Sequence, residues 1–369
     1  MADIWVEAGI TAIKCLLMLL LVLGFAGMLG WVERKGSALI QDRIGANRAS
    51  IFGFAGLGLV NTMVADPIKV LTKEDIVPAG ADRLLHLIAP CVSLFPALVT
   101  FAVIPFGDIL EVGGRSINLQ IAPLDVGIVY LLAMVSLGVY GVVLGGWASN
   151  NRWSLLGGIR GSAQMISYEI GMGLAIVSVV LTFGSLDLQV MARAQGHLLF
   201  GWLPAWGVFY QPVAFLLMLT AGMAESKRVP FDLPEAESEL VSGFFTEYSG
   251  AKYLMFFMTD FVEIVIVAGL ATTLFFGGWQ VPYLGREGFA FPGGATIALP
   301  HLVIVLMQVL SFVVKVAFFC WFQVMIRWTL PRFRYDQLMQ LGWKGLLPIG
   351  LANVVVTAFL VLLLGGTVP

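Results

Sequence analysis

The stretch AQMISYEIGMGLAIVSVVLTFGSL, residues 163–186, is a nearly uninterrupted apolar run with Glu169 as its only charged residue. A helix that spans a bilayer needs about 20 mostly apolar residues, and lipid forces each span to satisfy its own backbone hydrogen bonds. The sequence therefore predicts an all-α, polytopic integral membrane protein of about eight transmembrane helices, organised as a single membrane domain over residues 1–369. The other seven runs of this kind are residues 10–32, 84–106, 124–149, 203–224, 252–277, 300–328 and 345–365.

The composition supports this class of protein. Of the 369 residues, 59% are hydrophobic and 12% are charged, whereas a typical soluble domain has about 25% charged residues. The mean hydropathy is +0.91. The net charge of −2 provides no basic surface for nucleic acid. The three cysteines lie in separate apolar runs, so we predict that this chain binds no metal and no iron–sulfur cluster.

Lysine and arginine are distributed unequally between the two sets of connections that separate the runs. Sixteen of the 21 basic residues fall in residues 33–83, 150–162, 225–252 and 327–344, and three fall in the opposite set. Connections rich in lysine and arginine stay on the inner side of a membrane. This asymmetry predicts that the first set lies inside and that both termini lie outside, as an even number of spans requires.

Residues 56–75 have the apolar spacing of an amphipathic helix that is too short and too polar to span. The apolar positions recur at intervals of three and four residues, which places them on one helical face. Asp66 followed by Pro67 predicts a cap or a kink, because proline is tolerated in a first turn but disturbs a helix interior. Two interpretations remain open: a helix at the inner membrane surface, or a helix packed under neighbouring loops.

Placing a charged side chain inside a membrane span costs free energy, so such residues are candidates for a functional or paired role. Four of them are Glu169, Asp260, Glu263 and Lys315. Asp260 and Glu263 are three residues apart and therefore share a helix face. We expect the four groups to reach similar depths. Two interpretations fit this pattern: carboxylates that pass protons, or a structural cluster of ion pairs that holds the helices together.

The connection ESKRVPFDLPEAESELVSGFFTE, residues 225–247, is acidic although it lies on the otherwise basic side. Asp232 and Glu235 have the spacing of a capping box that would open a helix. A run of charge is typical of a solvated face. However, Glu225 also ends the fifth predicted span, so the acids continue from the loop towards the membrane interior. The acids of this loop are Glu225, Asp232, Glu235, Glu237, Glu239 and Glu247, and its bases are Lys227 and Arg228.

Further charges border the inner ends of the first and seventh spans. Glu33, Arg34 and Arg43 follow the first span, and RFRYDQ at residues 332–337 follows the seventh. Such charges predict anchors at the membrane surface or a docking surface for partner subunits. The chain has no phosphate loop, dinucleotide fingerprint or nucleophile–base motif, so we expect no autonomous active site.

These segments resemble one known family. The resemblance rests on ERKG (33–36), RIGAN (43–47), AD (65–66), KED (73–75), GWASNNRWSLLGGIR (146–160), SAQMISYE (162–169), AESKRVPFDLPEAESELVSGFFTEY (224–248) and PRFRYDQLMQLGWK (331–344). They occur in order along nearly the whole chain and are similar to the quinone-binding membrane subunit of respiratory complex I. That family has eight spans and one horizontal helix.

The resemblance implies roles for individual residues. At the quinone chamber, where the membrane part meets the peripheral arm, it implies Glu33, Arg34, Arg43, Asp66 and Asp232. Along the route from the chamber into the membrane it implies Asp66, Glu169, Glu225, Glu235, Glu237, Glu239, Glu247, Asp260 and Lys315. Asp260 stands where the family usually has glutamate. Glu263 is an addition to the family pattern and joins the route because it shares a helix face with Asp260.

The sequence also departs from the family pattern near the implied quinone entrance. Ala46 stands in place of a proline, and Thr62-Met63 replaces a Gln-Pro pair before the horizontal helix. Residues 48–61 are longer and rearranged. These departures affect the wall of the entrance, and therefore the type of quinone, more than the family assignment.

The resemblance implies a subunit of a proton-translocating NADH:quinone oxidoreductase that is not catalytic in isolation. Its substrate would be ubiquinone or menaquinone, with no flavin, metal or iron–sulfur cluster on this chain. Its partners would be peripheral-arm iron–sulfur and quinone-site subunits, small and antiporter-like membrane subunits, and the lipid bilayer. Its location would be an energy-transducing membrane, the bacterial inner membrane.

Three rival functions make different predictions. The homologous subunit of a membrane-bound hydrogenase would need no quinone and would be encoded beside a hydrogenase. A freestanding proton or cation transporter would be active alone and would suit an inverted repeat, which the sequence does not show. A structural membrane anchor would tolerate neutral replacements of Glu169 and Glu225.

Overall fold

A computed structural model describes residues 2–45, 58–292 and 296–364 of the chain. Its helices are α1 (Ala2–Ile40), α2 (Gly58–Leu71), α3 (Arg83–Thr100), α4 (Gly127–Ala148), α5 (Arg152–Phe183), α6 (Leu188–Ala194), α7 (Gly207–Tyr210), α8 (Pro212–Glu225), α9 (Glu237–Leu240), α10 (Gly250–Phe275), α11 (His301–Thr329), α12 (Tyr335–Gln340) and α13 (Leu347–Leu363). Three short antiparallel hairpins pair β1 (Ile109–Val112) with β2 (Arg115–Asn118), β3 (Leu198–Leu199) with β4 (Leu203–Pro204), and β5 (Gly288–Ala290) with β6 (Thr296–Ala298).

The architecture is that of an all-α polytopic membrane protein. Seven helical segments in the described ranges are long and apolar enough to cross a membrane. They correspond to seven of the eight predicted runs. A π-helical turn, Leu341–Leu346, joins α12 to α13, so that the last segment extends over Tyr335–Leu363.

The fifth predicted span, residues 203–224, is divided and corrects the expectation of a continuous helix. The chain forms the short helix α7, breaks at Gln211, and resumes as the 14-residue helix α8. Pro212 begins α8, where its missing N–H costs nothing and its fixed φ favours a helix start. A helix of this length extends about 21 Å, which is less than the ~30 Å hydrocarbon core of a bilayer.

Other boundaries also differ from the predictions, for local reasons. The helix α5 begins at Arg152 rather than residue 163, because the Asn151 side chain accepts a hydrogen bond from the Trp153 backbone N–H and caps the helix. It ends at Gly184, whose φ of +68° suits glycine. The predicted inner connection 150–162 is therefore mostly helix.

The amphipathic helix α2 is shorter than the predicted residues 56–75 and includes Pro67 in its interior. Of the altered segment 46–63, residues 46–57 lie outside the described residues, and these include residues 56–57 of the predicted helix. The apolar side chains of Val64, Ile68 and Leu71 are more than half exposed. The opposite face packs against α1 and α10. An exposed apolar face of this kind favours the interpretation of a membrane-surface helix over a helix covered by loops.

The helix α10 is the core of the bundle. It packs against α1, α3, α8 and α11, and its residues from Thr259 to Phe275 are all buried. Two acidic residues, Asp260 and Glu263, lie in this buried stretch. Because unpaired buried charges are costly, neighbouring helices must supply their partners.

Candidate functional site

A chamber lies between α1, α2 and α10. Its volume is about 420 Å³, within the range of small-molecule sites. Gly27 and Gly30 of α1 form one side, and an added Cβ at Gly30 would meet no atom within 4 Å. The remaining lining is mostly apolar and aromatic, with Leu23, Met63, Val70, Leu254, Phe257 and Phe261 among its residues. An apolar chamber beside an exposed apolar helix suits a lipid-soluble ligand.

Polar groups are concentrated on one side of this chamber. The Arg34 guanidinium lies 2.6 Å from the Asp66 carboxylate, and both residues line the chamber. Lys69 and Lys73 of the segment around α2 add further cations. The predicted chamber residues Arg34 and Asp66 are therefore brought together here, where they can orient the polar end of a ligand.

Behind Phe261, a second group of charges surrounds Glu33. Its carboxylate pairs with Arg327 of α11 and lies 3.6 Å from Arg228 of the acidic loop. The Arg228 guanidinium lies 4.2 Å from the centre of the Phe261 ring, a favourable cation–π distance. Glu33 thus lies in the interior, one layer behind the chamber, rather than at its rim.

The centre of the site is Lys227, which is 1% exposed. Its ammonium donates to both carboxylate oxygens of Glu263, at 2.8 and 2.7 Å, and lies 3.2 Å from Asp260. Phe261, which follows Asp260 in the sequence, lines the chamber. One turn of α10 therefore contributes Phe261 to the wall of the chamber and Asp260 to the buried ion pairs.

Glu225, at the end of α8, lies close to this ion pair but makes no ion pair or hydrogen bond of its own within the described residues. It is buried, and neither carboxylate oxygen has a hydrogen-bond partner among the described residues. A cavity of about 20 Å³ adjoins Glu225 and Glu263, enough for one water molecule. Glu169 of α5 lies near enough to act on Glu225 electrostatically and accepts a hydrogen bond from Ser136. A carboxyl without partners in such a place is suited to bind and release a proton.

Two loop acids continue this series towards the surface. Burial raises the pKa of Asp232 to about 6, although Arg332 and Arg228 partly offset the effect. Burial also raises the pKa of Glu235 above its usual range, and the neighbouring Asp260 and Asp232 raise it further. Asp232 and Glu235 do not form the predicted capping box, because α9 begins only at Glu237. These acids hold protons more tightly than solvent-exposed carboxyls do.

Several predicted residues lie apart from this series. Glu239 pairs with Arg160 at 2.7 Å on an exposed surface. Arg43 follows α1, and its guanidinium donates hydrogen bonds to the side chains of Gln41 and Ser37 at the end of that helix. Glu247 accepts a hydrogen bond of 2.6 Å from Asn151. The side chain of Glu237 lies outside the described part of the structure.

Lys315 also lies apart from the carboxylates, contrary to the expectation of similar depth. Its ammonium donates to the carbonyl oxygens of Phe276, Gly278 and Gln280, at 2.8, 3.0 and 2.7 Å. These carbonyls follow the C-terminal end of α10. Lys315 thus caps the C-terminal end of α10, whereas Asp260 and Glu263 lie near the middle of that helix.

Sequence reasoning did not single out Lys227 and Arg228 as members of the site. Their only signal was that two bases stand alone in an acidic loop, directly after Glu225. Their partners Glu263 and Glu33 are distant in the sequence. Among the described residues, no group of three or more His, Cys, Asp or Glu side chains could hold a metal ion.

The fold and the site define a polytopic membrane protein with an apolar ligand chamber next to a buried series of carboxylates and bases. The chain belongs to the NADH dehydrogenase family, whose model matches residues 13–358.

Three relatives, each named as a subunit of an NADH-quinone oxidoreductase, are similar over nearly their whole length. One, from Geobacter metallireducens, is 45% identical over 98% of this chain and 100% of the relative. Another, from Geobacter sulfurreducens, is 46% identical over 98% of this chain and 99% of the relative. The third, from Rhodothermus marinus, is 45% identical over 94% of this chain and 96% of the relative. These names favour the quinone enzyme over the hydrogenase and transporter alternatives.

Proposed function

We propose that this chain is the membrane subunit of a proton-translocating NADH:quinone oxidoreductase that receives quinone in the chamber between α1, α2 and α10. The observation that carries the proposal is the turn of α10 at Asp260 and Phe261, which joins the chamber wall to the buried charges. Partner subunits of the same complex supply the electrons, and this chain supplies binding, orientation and charge.

The chamber fits the chemistry of a quinone, which has a polar ring and an apolar tail. The exposed apolar face of α2 borders lipid and the chamber begins directly behind it, so a quinone can enter from the bilayer. Aromatic side chains such as Phe257 contact an apolar chain or ring. Arg34, Lys69 and Lys73 line the chamber and can donate hydrogen bonds to a quinone oxygen.

The buried series couples quinone reduction to proton movement. Reduction changes the charge next to Phe261 and Arg228, and Glu33 and Lys227 carry that change to Asp260 and Glu263. The acids interact closely and titrate as a set rather than singly. Asp232 and Glu235 connect this set to the loop surface, while Glu225 and Glu169 connect it to the membrane interior. The antiporter-like subunits that would receive the signal are partners of this chain.

We infer the location from the family and from the distribution of lysine and arginine between the connections. The chain is a multi-pass protein of an energy-transducing membrane, the bacterial inner membrane. The basic connections lie on the inner side, with both termini outside. This orientation requires α7 and α8 together to make an eighth crossing beside the seven long helices. This orientation places the acidic loop and the charged side of the chamber towards the peripheral arm, which carries the iron–sulfur clusters.

Filling the chamber tests its assignment. A Gly30→Leu side chain would project into the chamber, because no atom lies within 4 Å of an added Cβ. Gly24→Leu is the matched control: its added Cβ also meets no atom within 4 Å, but Gly24 does not line the chamber. We expect Gly30→Leu to raise the KM for a short-chain ubiquinone analogue at least about fivefold, since a blocked apolar site loses binding energy. Equal KM values in the two variants would contradict the chamber assignment.

A further inference from the structure

His86, buried at the start of α3, lies between two groups with fixed hydrogen-bonding roles. Its Nδ1 lies 3.4 Å from the Lys252 ammonium, and its Nε2 lies 3.3 Å from the Glu247 carbonyl oxygen. An ammonium can only donate and a carbonyl oxygen can only accept. Both contacts are satisfied together by a neutral imidazole with its proton on Nε2. The ring also stacks on Tyr248, with the ring centres 4.1 Å apart.

Lys252 extends this arrangement to the segment that follows α2. Its ammonium lies 2.8 Å from the Asp75 carboxylate. Next to it, the Ser249 hydroxyl donates to the Glu74 carbonyl at 3.0 Å and accepts from the Ile76 N–H at 2.9 Å. The segment after α2 is thus fixed by side chains to the beginning of α10.

Both ends of this connection adjoin the chamber. Lys73, two residues before Asp75, lines it, and so does Tyr253, which follows Lys252. A ligand that shifts α2 relative to α10 therefore acts on the Asp75–Lys252 ion pair, which joins the segment after α2 to α10. Among the described residues, α2 packs against protein on only one face, towards α1 and α10, so a ligand between these helices displaces α2 more easily than it would a helix packed on all sides.

On the side of His86, the arrangement reaches α5 through Glu247. Glu247 accepts a hydrogen bond of 2.6 Å from the Asn151 side-chain amide. The oxygen of the same amide caps α5 by accepting from the Trp153 N–H at 2.9 Å. Because α5 carries Glu169, a movement of the Glu247 backbone is transmitted to a helix of the carboxylate series.

We propose that Asp75, Lys252 and His86 are positioning residues that transmit the binding of a quinone between α1, α2 and α10 to the acidic loop at Glu247. We call these three residues the α2–loop link. The inference rests on the proposed quinone chamber and adds a second route from it, separate from the ion pairs of Lys227. None of the three residues lines the chamber.

Hydrogen exchange in the assembled complex tests the link, with and without a short-chain ubiquinone analogue. Backbone exchange of α2, residues 58–71, reports whether the chamber is occupied, and exchange of residues 241–252 reports whether the loop responds. In the wild type we expect the analogue to slow exchange in both segments. A wild type in which α2 does not respond would contradict the proposed chamber and, with it, the link.

The variants are Asp75→Asn, Lys252→Met and His86→Phe, which keeps a ring to stack on Tyr248. In each we expect α2 to respond as in the wild type, while the response of residues 241–252 falls roughly two- to fivefold, the range expected for a partly exposed ion pair. Glu74→Gln is the matched control, because it removes the neighbouring acid, whose side chain is exposed. Loop responses of wild-type size in Asp75→Asn and His86→Phe, with α2 still responding, would overturn the link and leave the chamber standing.

Discussion

Replacing Lys227 by methionine tests how the buried charges are balanced. The Lys227 ammonium contacts the carboxylates of Asp260 and Glu263, and the residue is buried, with 1% of its surface exposed. The change keeps the side chain's approximate size and removes its charge. Two buried carboxylates then face each other without their shared cation.

The expected magnitude follows from this geometry. Removing one partner of a buried, hydrogen-bonded ion pair costs about 3–5 kcal/mol, because the remaining charge stays buried without compensation. At about 1.36 kcal/mol per factor of ten, this is a change of roughly 10²- to 5 × 10³-fold in the proton-binding equilibria of the set. We therefore expect quinone reduction and proton pumping to fall at least about tenfold.

The assay compares NADH:quinone reductase activity and proton pumping in membranes that carry Lys227→Met, Lys227→Arg or wild-type protein. Oxidation of NADH by an artificial acceptor confirms that the complex is assembled. Lys227→Arg should recover part of the activity, because it restores the charge with a different geometry. Lys344→Met is the matched control, since it removes the same charge from an exposed position. Wild-type rates and pumping in Lys227→Met would show that the two carboxylates do not depend on this cation.

Three further predictions concern other parts of the site. Glu33→Gln should lower quinone reductase activity about tenfold, because it leaves Arg228 and Arg327 without their shared carboxylate; activity equal to that of the wild type would contradict this. Lys315→Met should shorten the half-life of the assembled complex at elevated temperature, because three carbonyls lose their donor at about 1–3 kcal/mol each; an unchanged half-life would argue against the capping role. The pKa of Asp232 is raised to about 6, so the carboxyl is neutral below that pH and charged above it. The quinone reductase rate should therefore fall as the pH is lowered through about 6, and this decline should be absent from Asp232→Asn.

Much of the fold could be predicted because membrane spans are specified by local properties. Length and apolarity located α4, α10, α11 and the N-terminal helix without reference to any contact. The break at Gln211 could not be found this way, since the apolar run continues through it and only Pro212 marks the new helix. The early start of α5 depends on a single cap at Asn151, which apolar patterning does not detect.

The site was predicted in part, and its partners were not. Asp260 and Glu263 were placed on one face from their spacing, and the structure confirms a shared contact with Lys227. That lysine comes from a loop 36 residues before Glu263, and nothing local pairs it with α10. Lys315 appeared similar in the sequence, but it contacts backbone carbonyls, which no side-chain pattern reveals.

The acidic residues of the loop 225–247 could not be assigned to their environments from the sequence. Asp232 and Glu235 were expected to open a helix, whereas α9 begins only at Glu237 and Glu235 adjoins Asp260. Glu239 pairs with Arg160 at the surface. Identical residue types in one loop thus have different environments, because burial depends on contacts made by the whole bundle.

The Glu225→Gln variant tests most directly whether the buried carboxylates link quinone reduction to proton movement. Glu225 is buried and lacks a hydrogen-bond partner among the described residues, so the amide replaces it with little steric change. The measurement is NADH:quinone reductase activity together with proton pumping, in membranes where artificial-acceptor NADH oxidation shows the complex to be assembled. We expect Glu225→Gln to lose both activities while the artificial-acceptor rate stays at the wild-type level. Wild-type quinone reduction with wild-type pumping would contradict the link and would leave the acids as a structural and docking cluster.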